Sequence, residues 1–115
     1  MSKPIGPYSP IVRAGEWLVV SGQVGLVEGR LVSGGVVAEL EQALTNLRSL
    51  LEQEGAALAH VVKTTIFLRH MRDFPLVNDA YARFFGDHRP ARSTVAVVEL
   101  PANALVEVEA WAHTG

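Results

Sequence analysis

The sequence predicts an α+β protein in which two helices pack on one face of a mixed β-sheet. Helical segments alternate with strand-like segments along the chain, and one strand carries small apolar residues on a single face. The chain has 115 residues, of which 49% are hydrophobic and 19% are charged. This length suits a single domain over residues 1–115, and the composition excludes a disordered chain.

The composition also excludes several classes of function. The chain has no cysteine, which excludes disulfide scaffolds, thiolate nucleophiles and cysteine-ligated zinc. Its formal net charge is −2, whereas a broad electrostatic contact with nucleic acid usually needs a basic excess. No apolar run approaches the roughly 20 residues that span a bilayer, and no signal peptide precedes the first strand. We therefore expect a cytoplasmic protein with no membrane partner, and a nucleic-acid partner is disfavoured.

The first third of the chain predicts an arm, a strand and turns. Residues 1–10 contain three prolines, which fix φ and lack an N–H, so this segment is predicted to be an extended arm. Residues 16–21 lie between two glycines and are typical of a strand. The glycine-rich segment 22–35 is predicted to hold one short strand at 30–32 between turns.

The middle of the chain predicts two helices with a strand between them. From Val36 the apolar residues recur at steps of three and four, which predicts a long amphipathic helix that ends near Gly55. Residues 61–68 are rich in β-branched side chains and are typical of a strand. A second amphipathic helix is predicted between an N-terminal cap at Asp73 and Gly86.

The last third predicts two strands, at 93–99 and 104–112, joined by a turn. The even positions of the last strand are all small or apolar, so they are predicted to face the helices. Its odd positions form a mixed face, which suits a subunit interface that contains a few polar groups. The high apolar content of so short a chain also favours oligomerisation. The mixed face consists of Leu105, Glu107, Glu109 and Trp111.

Arg92 is the first candidate for chemistry, at the predicted entrance of a buried strand. A guanidinium can bind a carboxylate with two parallel hydrogen bonds, and the backbone N–H groups that follow could reach the same anion. The alternative is a structural salt bridge with Glu107 or Asp87. Position alone favours that alternative.

Glu107 is the second candidate, because it projects from the mixed face of an otherwise apolar strand. A partly desolvated carboxyl has a raised pKa and can exchange protons near neutrality. The alternative is a glutamate that pairs with an arginine across an interface. Glu109 has the same parity, so this reasoning does not choose between the two.

Three further polar residues are candidates with structural alternatives. Tyr8 either packs the arm against the protein or faces a ligand, and Ser21 either ends a strand or lines a pocket. Asn78 interrupts an apolar helix face, where it either caps a neighbouring backbone or points into a pocket. The four histidines match no metal spacing, and no P-loop or dinucleotide fingerprint follows a strand. We therefore expect neither a metal nor a cofactor.

Taken together, the motifs resemble the RidA / YjgF family, also described as L-PSP endoribonuclease-like. No single motif decides this, but the set covers nearly the whole chain in the family's order. The matching segments are GPYS at 6–9, SGQV at 21–24, residues 42–47, VKTTIFL at 62–68, residues 73–85, PARS at 90–93, LP at 100–101 and VEVEA at 106–110.

The resemblance implies a chorismate-mutase-like fold and a homotrimer with ligand sites between subunits. It also implies hydrolytic deamination of reactive 2-imino and enamino acids, such as 2-aminoacrylate, without a metal or cofactor. The small-molecule partner is then an imino acid or a keto acid, and the role is metabolite damage control. The alternatives are a non-catalytic trimer that binds small carboxylates or acts like a chaperone, and, less favoured, a ribonuclease.

The resemblance also assigns roles to individual residues. Arg92 matches the arginine that binds the substrate carboxylate, and Glu107 matches the glutamate that positions or activates the attacking water. Many relatives have cysteine in place of Thr94, and the segment 86–89 is shorter than in close relatives. The residues that match the pocket lining are Tyr8, Ser21, Gly22, Asn78 and Thr94.

Overall fold

The α+β architecture is confirmed in a computed structural model that describes residues 4–115. The predicted arm lies outside the described residues at positions 1–3. The described elements are β1 (Ile11–Ala14), β2 (Trp17–Gln23), β3 (Leu26–Val27), β4 (Arg30–Leu31), α1 (Val36–Gln53), β5 (Val61–Leu68), α2 (Phe74–Phe85), β6 (Ala91–Ala96) and β7 (Val106–His113).

The main sheet has five strands in the order β1-β2-β7-β5-β6. It is mixed, because β5 and β6 run parallel and the other neighbouring pairs run antiparallel. The strands β3 and β4 form a separate hairpin. This hairpin contains the short strand that the sequence predicts at 30–32, together with a partner strand that it does not predict.

Side chains alternate along the central strand β7. Val106, Val108, Ala110 and Ala112 are fully buried, whereas the residues between them are partly or largely exposed. We call the side covered by α1 and α2 the helix face, and the other side the open face. The predicted division of the last strand into a buried and a mixed side is therefore confirmed.

Helix α1 supplies most of the apolar side chains that cover the helix face. Leu40, Leu44, Leu47 and Leu51 follow the helical period and are fully buried. Each such leucine contributes about 1.5–3 kcal/mol by leaving water. The chain leaves the helix at Gly55, where a φ of +77° favours glycine, as the sequence predicts.

The structure corrects the start of the main sheet. Strand β1, which the sequence does not predict, continues the arm and pairs with β2 through a turn at Gly15, where φ is +61°. Three of its four residues are exposed, so no alternation of burial marks it as a strand. Asp73 stands at the N-cap position of α2, as the sequence predicts, but its side chain makes no capping hydrogen bond, and a short 3-10 turn leads into the helix.

The strand predicted at 93–99 is also wrong in its bounds and its environment. The observed strand, β6, covers Ala91–Ala96 and pairs only with β5, so it lies at the sheet edge and is mostly exposed. The apolar residues that extended the prediction follow the strand, and Val98 is 86% exposed. Arg92 therefore lies within an exposed edge strand.

No helix within residues 4–115 has the length and apolar character needed to cross a membrane.

A buried carboxylate joins α1 to the start of β7. Glu39 is 3% exposed, and its Oε1 accepts a hydrogen bond of 2.7 Å from the Leu105 N–H. Glu39→Gln keeps an acceptor there, whereas Glu39→Met has a similar length and cannot accept. We expect the free energy of unfolding of Glu39→Met to be about 1–3 kcal/mol below that of Glu39→Gln. Chemical denaturation measures both, and equal values would contradict this role.

Candidate active site

Arg92 extends over the helix face of the sheet, where α2 holds its guanidinium. Phe74, Asn78 and Tyr81 are four and three residues apart, so they lie on one side of α2. Asn78 Oδ1 accepts a hydrogen bond from Arg92 Nη2. The Arg92 Cζ lies 4.8 Å from the centroid of the Tyr81 ring and 5.6 Å from that of the Phe74 ring. Three side chains of one helix therefore fix the position of the guanidinium.

All of these contacts are with uncharged groups. The ion pairs found among residues 4–115 do not include Arg92, so the alternative of a salt bridge with Glu107 or Asp87 is wrong within the chain. A guanidinium has five N–H donors, and Asn78 receives one of them. The positive charge and most of the donors therefore stay available to a carboxylate ligand.

Thr94 extends the same surface along β6. In the sheet register Arg92 is opposite Thr64 and Thr94 is opposite Ile66, and both of these β5 residues are fully buried on the helix face. Arg92 and Thr94 therefore share that side and are both half-buried. We call Arg92, Asn78 and Thr94 the arginine cluster.

Glu107 lies on the open face, directly against a glycine. A Cβ atom on Gly22 would be 2.5 Å from Glu107 Oε2, so a larger residue at position 22 would displace the carboxyl group. A cavity of about 30 Å³ lies beside it, with Tyr8, Gly22 and Pro101 in its lining. A cavity needs roughly 10–15 Å³ to hold one water molecule, so a water molecule fits here. We call Tyr8, Gly22 and Glu107 the acid cluster.

Ser21 ties the arm to β2. Its hydroxyl donates to the Ser9 carbonyl at 2.6 Å, and its N–H donates to the Pro10 carbonyl at 2.9 Å. It does not line the cavity beside Glu107. Within this chain Ser21 therefore holds the arm that carries Tyr8 against β2, and its role in lining a pocket stays a prediction.

The pKa of Glu107 is raised above its usual value. Burial of the carboxyl is the larger cause, and the like charge of Glu109, two residues along the same face of β7, is the second. Glu107 therefore keeps its proton to a higher pH than an ordinary glutamate. Once ionised, a carboxyl with a raised pKa accepts a proton more readily than an ordinary glutamate does.

The two clusters do not meet within one chain. Glu107 is opposite Phe67 on the open face, whereas Arg92 is opposite Thr64 on the helix face. The sheet therefore separates Arg92 from Glu107. No group of three His, Asp or Glu side chains in the described part of the chain is arranged to hold a metal ion.

The two aromatic neighbours of Arg92, Phe74 and Tyr81, are not among the candidate residues that the sequence predicts. Their spacing from Asn78 is the signal that could have found them, because steps of four and three place all three residues on one helical face. The pairing of that face with Arg92 depends on the tertiary structure.

The fold agrees with comparisons with known proteins. The model of the Endoribonuclease L-PSP family matches residues 1–114. The chain belongs to this family. The Dermatophagoides farinae protein named 2-iminobutanoate/2-iminopropanoate deaminase is 46% identical over 109 residues, which are 93% of this chain and 85% of that protein. The Mus musculus protein of the same name is 46% identical over 113 residues, covering 96% and 84%.

Solved structures of the L-PSP family superimpose closely on the chain. The Escherichia coli YjgF structure has a TM-score of 0.92 and 36% identity, and the match covers 97% of this chain and 91% of that one. The structure of E. coli TdcF with bound serine has a TM-score of 0.92 and 30% identity, with the same coverage. The family resemblance inferred from the motifs is thus confirmed.

Removing the charge of Glu109 should lower the pKa of Glu107. In Glu109→Gln the like charge is absent, so the Glu107 pKa is expected to fall, yet to stay above its usual value because burial is the larger cause. A ¹³C NMR titration of the Glu107 carboxyl carbon measures this shift. Glu99→Gln, at an exposed position, is the control and should leave it unchanged. An unaltered Glu107 pKa in Glu109→Gln would contradict the assigned cause.

The same shift predicts a pH dependence of stability. Because the pKa is raised in the folded state, Glu107 stabilises the protein below its ordinary value of 4.5, and this contribution is lost as the pH rises through the folded-state pKa. Glu107→Gln should remove this part of the pH dependence. Urea denaturation across this range compares the two proteins.

Proposed function

We propose that this protein hydrolyses reactive 2-imino and enamino acids, such as 2-aminoacrylate, to 2-keto acids and ammonia. The observation that carries the proposal is the half-buried guanidinium of Arg92, which is held only by neutral groups. Such a guanidinium suits a small ligand with a carboxylate. Relatives named as deaminases and a relative with bound serine support the same class of ligand.

Arg92 binds the substrate carboxylate in this proposal. Asn78 holds the arginine, and Thr94 places a small polar side chain beside it. Threonine here keeps a hydroxyl and a backbone N–H for the ligand. The segment 86–89 lies between α2 and β6, next to this cluster.

Glu107 activates the attacking water. The enamine first takes a proton at C3 to give the protonated imine. The water oxygen then attacks C2 while Glu107 accepts a water proton, which gives a neutral carbinolamine. Glu107 passes this proton to the amine nitrogen and accepts the hydroxyl proton as the C2–N bond breaks, so a 2-keto acid and ammonia leave. Glu107 then returns that proton to the solvent, which balances the proton taken up at C3. Because C2 of a protonated imine is already electrophilic, this route needs only binding, water delivery and proton transfer.

A homotrimer completes the site in this proposal. The open face exposes large apolar side chains, among them Trp17, Val95 and Trp111, and a face of this kind suits burial against further copies. Contact between two different surfaces of the same chain generates a ring when the rotation closes. Each site then takes the arginine cluster from one copy and the acid cluster from the next. We place this role in the cytoplasm, in the removal of reactive metabolites.

The reaction itself is the first test. A dehydratase generates 2-aminoacrylate, and the release of pyruvate and ammonia is followed over time. We expect the protein to accelerate release over buffer, and Arg92→Ala to lower kcat/KM on the order of a hundredfold, because the substrate carboxylate loses its charged partner.

Size-exclusion chromatography checks that Arg92→Ala keeps the assembly of the unsubstituted protein. Arg83→Ala is the matched control, since Arg83 is an exposed arginine on α2 outside both clusters. Release no faster than in buffer would contradict the deaminase proposal. Pyruvate binding by calorimetry without turnover would instead favour the carboxylate-binding alternative.

Mixing two inactive variants tests the composite site. Arg92→Ala and Glu107→Gln chains are co-expressed with different tags, and assemblies that carry both tags are purified. In a three-membered ring that carries both tags, about a third of the sites unite an intact Arg92 with an intact Glu107 from the next copy. We therefore expect activity in the mixed assemblies and almost none in either parent. If the site formed within one chain, the mixed assemblies would stay inactive.

A further inference from the structure

A buried hydrogen bond lies beneath Arg92, and the proposed chemistry does not use it. The hydroxyl groups of Thr64 and Tyr81 are 2.7 Å apart. Thr64 is fully buried and Tyr81 is 5% exposed. The bond joins β5 to α2 at the rung of the sheet where Thr64 is opposite Arg92.

An apolar pair of side chains could fill the space that Thr64 and Tyr81 occupy. Valine and phenylalanine have nearly the same shapes as threonine and tyrosine, and they bury no hydroxyl group. A buried hydroxyl carries a desolvation cost that its hydrogen bond only offsets. What the bond adds is orientation, because it fixes the tyrosine ring relative to β5.

The fixed ring lies against the guanidinium. The Arg92 Cζ is 4.8 Å from the centroid of the Tyr81 ring, well within the distance over which a cation is attracted to an aromatic face. The ring is closer to Cζ than the more exposed Phe74 ring, at 5.6 Å. Tyr81 is thus the buried surface on which Arg92 rests, and Asn78 holds the outer end of the same side chain.

The phenol also leaves the charge of Arg92 free. Burial raises the pKa of Tyr81, and this effect exceeds the opposing effects of the Thr64 hydrogen bond and of Arg92. Tyr81 therefore stays neutral, so the ring supports the guanidinium without neutralising it. A carboxylate in the same place would hold Arg92 as firmly and would compete with a ligand for it.

We propose that Tyr81, locked by Thr64, is a positioning residue that holds the Arg92 guanidinium in the orientation required to bind a carboxylate. This inference rests on the proposed function insofar as Arg92 is the carboxylate site. A fixed guanidinium loses less conformational freedom when a ligand binds, so the ring contributes to affinity without touching the ligand.

Two substitutions on α2 separate positioning from packing. Tyr81→Leu removes the ring under Arg92. Phe84→Leu is the matched control, because the Phe84 ring lies 4.9 Å from the Arg48 Cζ and is partly buried in the core, away from both clusters. Each substitution removes one aromatic ring and one contact with a guanidinium from the same helix.

The NMR signal of the Arg92 Nε–H group reports its order without any ligand. We expect a resolved signal in the unsubstituted protein and in Phe84→Leu, and a weakened or broadened one in Tyr81→Leu. An unchanged signal in Tyr81→Leu would overturn the positioning role. This measurement does not depend on whether the protein is a deaminase.

Affinity for a carboxylate gives the second measurement, with pyruvate as the probe in calorimetry. We expect Tyr81→Leu to weaken pyruvate binding and raise KM by about three- to tenfold with kcat little changed, and Phe84→Leu to alter neither. Equal losses in the two variants would assign Tyr81 a purely structural role. Unchanged pyruvate binding in Tyr81→Leu, with binding lost in Arg92→Ala, would contradict the positioning role but not the proposed function. Unchanged binding in both variants would contradict both.

A conservative double substitution distinguishes loss of the ring from a folding defect caused by Tyr81→Leu. Tyr81→Phe combined with Thr64→Val keeps a ring under Arg92 and removes both buried hydroxyl groups, so no polar atom of the pair is left without a partner. We expect a pyruvate affinity between those of the unsubstituted protein and Tyr81→Leu, because the ring stays under Arg92 but loses the hydrogen bond that fixes it. An affinity equal to that of the unsubstituted protein would show that Thr64 does not lock the ring. An affinity as low as that of Tyr81→Leu would show that the ring is not what supports Arg92.

Discussion

The alternation of side chains along β7 is the constraint on which the rest of the structure depends. Because β7 pairs with both β2 and β5, its period of two sets the side to which the neighbouring strands direct their residues. The small apolar residues of β7 give α1 a flat surface on which to pack. The same alternation leaves Glu107, Glu109 and Trp111 on a face that no helix covers, and it places Arg92 on the other side of the sheet.

The two clusters prepare their charged groups in opposite ways. Arg92 keeps its charge because its neighbours are an amide and two aromatic rings. Burial and the like charge of Glu109 raise the pKa of Glu107, so this carboxyl keeps its proton to a higher pH. A carboxylate ligand needs the first arrangement, and proton exchange with water needs the second. A glutamate beside Arg92 would form an ion pair with the guanidinium, and the pKa of that glutamate would fall. Because the two clusters lie on separate surfaces, neither charged group changes the environment of the other.

Elements with one buried side could be predicted from the sequence, because their apolar residues recur at a regular spacing. Elements without such a regular spacing could not. Helix α1 and strand β7 each have one covered side, so their apolar residues recur with the period of the element. Strand β1 is largely exposed and shows no alternation, and the apolar Val98 extended the predicted β6 into a loop. Arg92 and Glu107 were identified by residue type and by family resemblance. Their separation by the sheet follows from the register of β5 with β6 and β7, which no local pattern encodes.

The proline-rich arm beside Glu107 is held in place by few interactions. Proline restricts the unfolded chain, so less conformational entropy is lost when the segment becomes ordered. It also has no N–H that would need a partner. Two hydrogen bonds from Ser21 to the Ser9 and Pro10 carbonyl groups can therefore position a segment that has no place in the apolar core. One wall of the cavity is thus held by these two hydrogen bonds together with the restricted backbone of its prolines.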